Sequence, residues 1–222
     1  MPGRAVAAPA RIKYPRTPHL PDSPGASTDD RVQHDLSALV GVELVVTEKL
    51  DGGNLTFARH GMWARSTDSG THPWDRPAKA VWARVAPDIP AGWRVVGESM
   101  WARRSVGYTD LPGVFIVFAV FDSAGTLLSW DDVVEWATLL GLPTVPVLYR
   151  GDDLAAARAA WATQRDEAGS EGYVLRTVAP VAPDQFAKRV VKWVRAGHVR
   201  TTADWRHRDD FPVNGFRGPV VG

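Results

Sequence analysis

The stretch TEKLDGGN at residues 47–54 places a lysine, Lys49, where an apolar strand meets a glycine-rich turn. The protein has only five lysines against 21 arginines. A lysine amine, unlike a guanidinium group, can lose its proton and act as a nucleophile. Asp51 is placed to orient the amine, and the glycines allow the backbone to approach phosphates closely. The same residues are ordinary in a hairpin turn, so the stretch alone leaves both interpretations open.

Short apolar and β-branched runs surround this turn. They predict strands over residues 42–49, 54–59, 62–66, 93–98, 115–121, 173–178 and 187–194. Serine, aspartate and proline signals predict helices over residues 29–40, 77–85, 129–140 and 152–168. Because strands outnumber helices and do not alternate strictly with them, we expect an α+β fold of antiparallel sheets flanked by helices.

Composition and charge divide the chain into three parts. Residues 1–28 are basic and rich in proline, which predicts an extended N-terminal arm. Residues 29–200 have the composition of one folded domain, and residues 201–222 are predicted to form a short basic C-terminal tail. Two basic ends on one face would suit a phosphate backbone, although basic termini are also common as solvated tails.

Length and composition exclude several classes of protein. With 222 residues, 45% hydrophobic and 23% charged, the chain can bury the core of one globular domain. No apolar run approaches the roughly 18 residues of a membrane span. The absence of cysteine excludes disulfides, thiolate metal sites and cysteine nucleophiles. The first residues contain no apolar signal segment, so we expect a soluble, cytoplasmic protein with no membrane partner.

Five further short motifs follow the lysine turn in order: ARS at 64–66, VGE at 96–98, FAVFD at 118–122, EGYVLR at 171–176 and VVKW at 190–193. The succession resembles the covalent nucleotidyltransferase superfamily of polynucleotide ligases and capping enzymes. Glu48 and Lys49 with Asn54, and the EGYVLR motif, look most like ATP-dependent RNA ligases. The resemblance covers residues 43–195. It implies that residues 29–200 form an ATP-grasp-like nucleotidyltransferase domain, with an ATP cleft between two antiparallel sheets.

The resemblance also implies the chemistry of the lysine. Lys49 would attack the α-phosphorus of ATP, expel pyrophosphate and hold AMP as a phosphoramidate, which divides a difficult phosphoryl transfer into easier steps. Glu48, Leu50 and Asn54 would bind the nucleotide beside it.

Five later residues receive roles from the same resemblance. Arg65 would contact a phosphate, and Lys192 would neutralise the α-phosphate as pyrophosphate leaves. Glu98 would hydrogen-bond the ribose hydroxyls, and Phe121 would stack on the adenine. Glu171 would bind Mg²⁺ or Mn²⁺, directly or through water, beside the phosphates.

Each of these residues also has a plainer interpretation. Arg65 is also compatible with a surface arginine, Phe121 with a core aromatic residue, and Glu171 with a solvated loop glutamate. Lys192 lies within a run otherwise fit for burial, and a buried ammonium group needs an anionic partner.

The sequence also departs from the pattern it resembles. RNA ligases of this kind often have a second lysine where Val194 stands, so phosphate contacts are expected to fall to neighbours such as Arg195 or Lys188. The stretch YPRTPHLP at residues 14–21 lies outside the six motifs and receives no role. His19 within this stretch reads as a packing or surface residue.

Only 27 residues follow Arg195. This is too few for the OB domain of DNA ligases and capping enzymes, so we expect the nucleotidyltransferase domain without a C-terminal OB domain. A nucleic-acid strand would then bind the domain surface, the two basic ends, or a repair partner protein.

The resemblance as a whole implies an ATP-dependent RNA ligase. Such an enzyme joins 5′-phosphate and 3′-hydroxyl RNA ends through a lysyl-AMP and an adenylylated 5′ end, with magnesium or manganese. Four alternatives stay open at this point. They are a DNA nick ligase, a GTP-dependent capping enzyme, a non-catalytic nucleic-acid-binding protein that retains the fold, and a structural β-rich domain.

Overall fold

The computed structural model describes residues 10–67, 72–165, 169–197 and 211–218. The strands in this part of the chain are β1 (Leu44–Lys49), β2 (Gly53–Ala58), β3 (Gly61–Ala64), β4 (Arg94–Ser99), β5 (Phe115–Phe121), β6 (Val147–Gly151), β7 (Gly172–Thr177) and β8 (Val190–Val194). The α-helices are α1 (Arg76–Val85), α2 (Trp130–Leu139), α3 (Leu154–Gln164) and α4 (Phe186–Arg189). Short 3₁₀ turns lie at Ser37–Leu39, Pro73–Asp75, Ala86–Asp88 and Pro183–Gln185.

The strands form two four-stranded sheets. The first sheet has the order β6-β1-β7-β8 and the second has the order β3-β2-β4-β5. All of the strand pairs are antiparallel. The stretch TEKLDGGN passes from β1 of the first sheet to β2 of the second. The predicted α+β class with antiparallel sheets is confirmed, and this turn joins the two sheets.

Helices cover the outer faces of the sheets. Helix α3 packs on β1 and β6, and α2 packs on β5. Both helices begin at the predicted cap residues. The Asp132 N–H donates to the Ser129 hydroxyl at 3.1 Å, and the Ala155 N–H donates to the Asp153 carboxylate at 2.8 Å. These bonds satisfy backbone donors that the first helical turn leaves without partners.

The predicted helix over residues 29–40 is wrong, since only Ser37–Leu39 forms a single 3₁₀ turn. Asp30 does not cap a helix. Its carboxylate instead accepts hydrogen bonds from the Ser27 N–H at 3.1 Å and the Ser27 hydroxyl at 2.8 Å. The backbone that follows pairs with His19, which gives its polar groups partners outside a helix.

Two other elements differ from the sequence-based prediction: one strand was not predicted, and another begins later than predicted. The sequence pattern predicts no strand at β6, which pairs with β1 through a register shift between Val46 and Thr47. The predicted strand over 187–194 begins only at Val190, because Phe186–Arg189 forms α4.

Residues 14–25, called the N-terminal segment here, lie along the outer edge of β8. The Lys192 N–H donates to the Pro18 carbonyl at 2.9 Å, and the Leu20 N–H donates to the Lys192 carbonyl at 2.7 Å. The Gly25 N–H donates to the Val194 carbonyl at 2.8 Å. The edge of β8 is therefore paired, and part of the proline-rich region predicted as an arm is attached to the first sheet.

Most of the predicted 201–222 tail lies outside the described residues. Its described part, residues 211–218, packs on the domain, where the Asn214 side-chain amide donates to the Met100 carbonyl at 2.7 Å. Among the described residues, no helix is long and apolar enough to cross a membrane.

Candidate active site

A cavity of about 180 Å³ opens between the two sheets. Seven of the predicted site residues line it: Glu48, Lys49, Leu50, Asn54, Arg65, Glu98 and Lys192. They come from both sheets, so the cavity exists only because the turn after Lys49 brings β2 over β1. The sequence motifs therefore converge on one cavity, with Phe121 and Glu171 outside its lining.

Lys49 is the last residue of β1, and strand pairing places it opposite Gly172 at the start of β7. Glu171 directly precedes that glycine. The Lys49 amine donates to the Glu171 carboxylate at 2.6 Å, across 122 residues of sequence. Gly172 is required here, because a Cβ atom at this position would lie 2.1 Å from the Trp193 carbonyl oxygen. The predicted nucleophile and the predicted metal ligand therefore form an ion pair.

The charge state of Lys49 follows from its neighbours. Burial lowers the pKa of the amine, but the carboxylates of Glu171 and Glu98 outweigh burial and raise it above its ordinary value. The ammonium form is therefore the stable one in this arrangement. Nucleophilic attack requires the amine to lose its proton, which becomes easier when positive charge enters the site near Glu171.

Glu98 lies on β4 directly opposite Asn54 on β2. Burial raises the pKa of Glu98 to about 7, although the Lys49 ammonium group opposes that shift. The Asn54 amide oxygen is buried and has no hydrogen-bond partner in the described structure. Two neighbouring polar groups thus face a cavity in which hydroxyl or amine groups of a ligand would satisfy them.

The raised pKa of Glu98 predicts a pH-dependent stability. Below pH 4.5 the carboxyl is protonated in both folded and unfolded chains, whereas between pH 4.5 and about 7 only the folded chain keeps the proton. Rising pH therefore favours unfolding, by about 3 kcal/mol across this window. We expect the free energy of unfolding of the wild type to fall relative to Glu98→Gln between pH 5 and pH 8 in urea titrations. Parallel pH curves for the two proteins would show that the prediction is wrong.

Lys192 and Arg65 add positive charge near Lys49. Burial and the Lys49 ammonium group lower the pKa of Lys192, and Arg65 contributes to the same shift. Both the N–H and the carbonyl of the Lys192 backbone are hydrogen-bonded to the N-terminal segment. Arg65 is exposed at the end of β3. This group of three cations suits a polyphosphate, because bound anions relieve their mutual repulsion.

Two of the predicted nucleotide-binding side chains have other partners. Successive residues of a strand point to opposite faces, so Glu48 lies on the face of β1 away from Lys49. Its carboxylate accepts a hydrogen bond from Arg165 at 2.8 Å. The Leu50 side chain is buried in the main hydrophobic core. Both residues border the cavity, but neither offers it a free polar side chain.

The structure places Phe121 in a different position from the one predicted. Its ring is buried in a hydrophobic cluster, with the Arg94 guanidinium group 4.5 Å above the ring centre. Phe118 lines the cavity instead. The pairing of β4 with β5 jumps from Val117 to Ala119, so Phe118 is the extra residue of a β-bulge. A bulge redirects a side chain, and here it gives the cavity an aromatic ring.

Residues around the position of the missing second lysine do not face the cavity. Val194 is buried, and its backbone N–H donates to the Ser23 hydroxyl at 2.9 Å. The Arg195 guanidinium group donates to the Ser170 carbonyl at 2.8 Å. Lys188 is exposed on α4. None of the three lines the cavity.

The cavity residues that the sequence-based prediction missed include Tyr14, Thr17, Val174 and Arg176. Val174 and Arg176 belong to the EGYVLR motif. Their alternation with buried neighbours along the strand was the sequence signal that could have identified them as facing the cavity. Tyr14 and Thr17 come from the N-terminal segment, which reaches the cavity only through its pairing with β8.

A second cavity of about 260 Å³ adjoins the first and shares Asn54 and Arg65 with it. Its other lining residues include His72, Ser99 and Arg104. This surface continues outward from the cations of the first cavity. It carries the arginines Arg65 and Arg104, which suits a second phosphate-bearing group.

The oxygen ligands near Lys49 fit a hard divalent cation. The described residues contain no group of three or more metal-ligating side chains. Glu171 is 6% exposed, and the carboxylates of Glu98 and Asp51 are close enough to influence Lys49 electrostatically. Mg²⁺ is commonly held by one or two carboxylates together with substrate phosphates, so this donor set suits it only when a phosphate is present.

Comparison with known proteins places this geometry in context. A model of the RNA ligase family matches residues 42–194. Comparison with curated proteins finds no match. Among solved structures, an archaeal ATP-dependent RNA ligase is similar at a TM-score of 0.57 and 18% identity, over 82% of this chain and 48% of that one.

Two further solved structures are similar to this chain at comparable TM-scores. A protein described as an ATP-dependent DNA ligase from Aquifex aeolicus gives a TM-score of 0.57 at 15% identity, over 82% of this chain and 50% of that one. A ligand-free Naegleria gruberi RNA ligase variant gives a TM-score of 0.52 at 15% identity, over 72% and 51%. The chain spans about half the length of these proteins. At such identities the similarity shows the fold alone, and it confirms the predicted nucleotidyltransferase fold. The described residues contain no OB domain.

Proposed function

The chain belongs to the RNA ligase family, and on this premise we propose that it is an ATP-dependent RNA ligase that joins 5′-phosphate and 3′-hydroxyl ends through a lysyl-AMP. The observation that carries the proposal is the ion pair of Lys49 and Glu171 at the mouth of a cavity lined with further cations. Covalent nucleotidyl transfer requires a nucleophilic lysine, and here the lysine is paired with a buried carboxylate and lies beside cations that can bind phosphates.

The proposed first step uses Lys49 as the nucleophile. Its ammonium group gives up a proton to solvent, and the freed lone pair forms a P–N bond to the α-phosphorus of ATP. The bond from that phosphorus to the bridging oxygen breaks, and pyrophosphate leaves with the electron pair. Lys192 and Arg65 face the charge that develops on the phosphates.

The two later steps transfer the AMP. An oxygen of the RNA 5′-phosphate attacks the α-phosphorus, the P–N bond breaks and Lys49 takes up a proton. The 3′-hydroxyl of the second end then attacks the activated 5′-phosphate, and AMP leaves with the electron pair. Glu171 would hold the divalent ion, which supplies charge neutralisation at the phosphate oxygens.

We assign the purine base to the apolar part of the cavity, between Phe118 and Val174. Both side chains line the cavity, on opposite sheets. Glu98 and Asn54 also line the cavity and lie opposite each other on β4 and β2, so ribose hydroxyls would find acceptors there. This arrangement assigns the role predicted for Phe121 to Phe118.

The assignment predicts different effects for the two phenylalanines. Because a stacked base contributes about 1–3 kcal/mol, Phe118→Ala should weaken ATP binding roughly five- to 160-fold. Phe121→Leu should leave ATP affinity unchanged and lower the free energy of unfolding by about 1–2 kcal/mol. Calorimetric titration with ATP and urea unfolding would measure both quantities. Weaker ATP binding by Phe121→Leu, with Phe118→Ala unaffected, would reverse the assignment.

The substrate class is tested by sealing assays. Labelled 5′-phosphate RNA would be offered as free ends, as a nicked duplex and as a broken hairpin, each with a DNA counterpart. The proposal expects sealed RNA that depends on ATP and on Mg²⁺ or Mn²⁺. Sealing of DNA in preference to RNA would identify a DNA nick ligase. Lysine adenylylation without sealing of any strand would point to a partner protein that supplies end recognition.

A further inference from the structure

Arg176 is a buried cation whose hydrogen bonds are incomplete. The residue is 3% exposed. Its Nε donates to the Thr177 carbonyl at 3.0 Å, and one terminal nitrogen donates to the Leu128 carbonyl. The other terminal nitrogen, Nη1, is buried without a hydrogen-bond partner in the described structure. A buried charged group with an unused donor is costly, so its retention calls for an acceptor that the chain itself does not supply.

A second buried arginine provides a comparison. Arg94 also has unpartnered nitrogens, but its guanidinium group lies over the Phe121 ring, an arrangement that stabilises a cation. Arg94 does not line the cavity, whereas Arg176 does. Of these two incompletely bonded arginines, only Arg176 is positioned to meet a ligand.

Strand register places Arg176 beyond the base position. Lys49 is paired with Gly172, Thr47 with Val174, and Val45 with Arg176. Gly172, Val174 and Arg176 share one face of β7, since alternate residues point the same way. The Lys49–Gly172 pair and the Val45–Arg176 pair are four residues apart, or roughly 13 Å along the strands. A nucleotide with its α-phosphate at Lys49 and its base against Val174 therefore directs the far edge of the base toward Arg176.

A hydroxyl group accompanies this donor. Tyr14 of the N-terminal segment also lines the cavity and packs edge-on against Phe118, with ring centres 5.3 Å apart. Its phenol interacts electrostatically with Arg176 and lies within reach of the Thr17 side chain. A hydroxyl oxygen can accept a hydrogen bond, whereas a guanidinium group can only donate. An adenine edge presents a ring-nitrogen acceptor beside an amino donor, which is complementary to this pair.

We propose that Arg176 and Tyr14 form the base-recognition end of the nucleotide site, in which Arg176 donates to a ring nitrogen beside the 6-amino group of adenine. The inference rests on the proposed function, because it requires a nucleotide in this cavity. It gives the N-terminal segment a role in binding as well as in pairing with β8.

Binding of modified nucleotides tests this proposal without chemistry. The full chain carrying Lys49→Ala, which cannot form a covalent adduct, would be titrated calorimetrically with ATP, 1-deaza-ATP and 7-deaza-ATP in the presence of Mg²⁺. Each deaza analogue lacks one ring nitrogen that neighbours the amino group. We expect one analogue to bind at least fivefold more weakly than ATP. In the same background, Arg176→Gln should abolish this difference, and the matched variant Arg94→Gln should preserve it.

A second arm tests Tyr14. Purine riboside triphosphate, which lacks the amino group, should bind more weakly than ATP to the Lys49→Ala chain, and Tyr14→Phe should reduce that difference. Equal binding of ATP and both deaza analogues would overturn the assignment of Arg176, even if Arg176→Gln failed to fold. Failure of the chain to bind ATP at all would instead overturn the proposed function and the inference with it.

Discussion

Lys49→Arg is expected to abolish covalent attachment of nucleotide, with labelling reduced at least about 10³-fold. Arginine preserves the positive charge opposite Glu171 and is therefore expected to preserve the ion pair, but it stays protonated and cannot attack phosphorus. The measurement is incubation with α-labelled ATP and Mg²⁺ or Mn²⁺, followed by denaturing electrophoresis. The label on the wild type should survive denaturation and be released by acid.

Matched variants make this result specific to the nucleophile. Lys49→Ala should be equally unlabelled. Lys79→Arg, which makes the same exchange at an exposed position on α1, should be labelled like the wild type. Labelling of the Lys49→Arg protein would contradict the mechanism, whether or not the alanine variant is labelled.

Glu171→Gln is expected to slow labelling by about 10²- to 10³-fold, because a bound cation contributes several kcal/mol of charge stabilisation to phosphoryl transfer. The amide retains the size of the side chain but removes the charge that would attract the cation and that now pairs with Lys49. Labelling rates measured across a range of MnCl₂ concentrations should show half-maximal activity at a higher concentration than in the wild type.

The control for Glu171 is a carboxylate outside the cavity. Glu43 is paired with Arg150, is half-exposed and does not line the cavity, so Glu43→Gln should keep the wild-type metal dependence. An unchanged labelling rate and metal dependence in Glu171→Gln would remove Glu171 from the metal site and leave it only the pairing with Lys49.

Local motifs made the principal site residues predictable from the sequence. Lys49 was identifiable because its turn is followed by an ordered succession of motifs that resembles polynucleotide ligases, and Glu171 because the EGYVLR motif looks like that of ATP-dependent RNA ligases. The 2.6 Å contact between them was not predictable, since it depends on the register of β1 with β7. Register is set by packing and loop geometry across the whole sheet, which a single sequence does not reveal.

The aromatic position shows a similar limit. Phe118 and Phe121 lie in one apolar run, and simple alternation cannot tell which ring faces the cavity. The bulge at Phe118 decides it, and a bulge inserted between two long strands has no strong local signature.

The N-terminal segment was the least predictable part. Proline spacing correctly indicated non-helical backbone, but it carried no information about a partner strand. Its pairing with β8 joins residues more than 170 apart in the sequence, as in the bond from the Lys192 N–H to the Pro18 carbonyl at 2.9 Å. The helix wrongly predicted over 29–40 has the same origin, because pairing with His19 overrode the apparent cap at Asp30.

The most direct test of the central claim is the mass of the intact protein after incubation with ATP and Mg²⁺ or Mn²⁺, followed by peptide fragmentation. The account predicts an added mass of one AMP per chain, located on Lys49 and lost on treatment with acid or with pyrophosphate. Bound ATP without any covalent adduct, or an adduct on a residue other than Lys49, would contradict it.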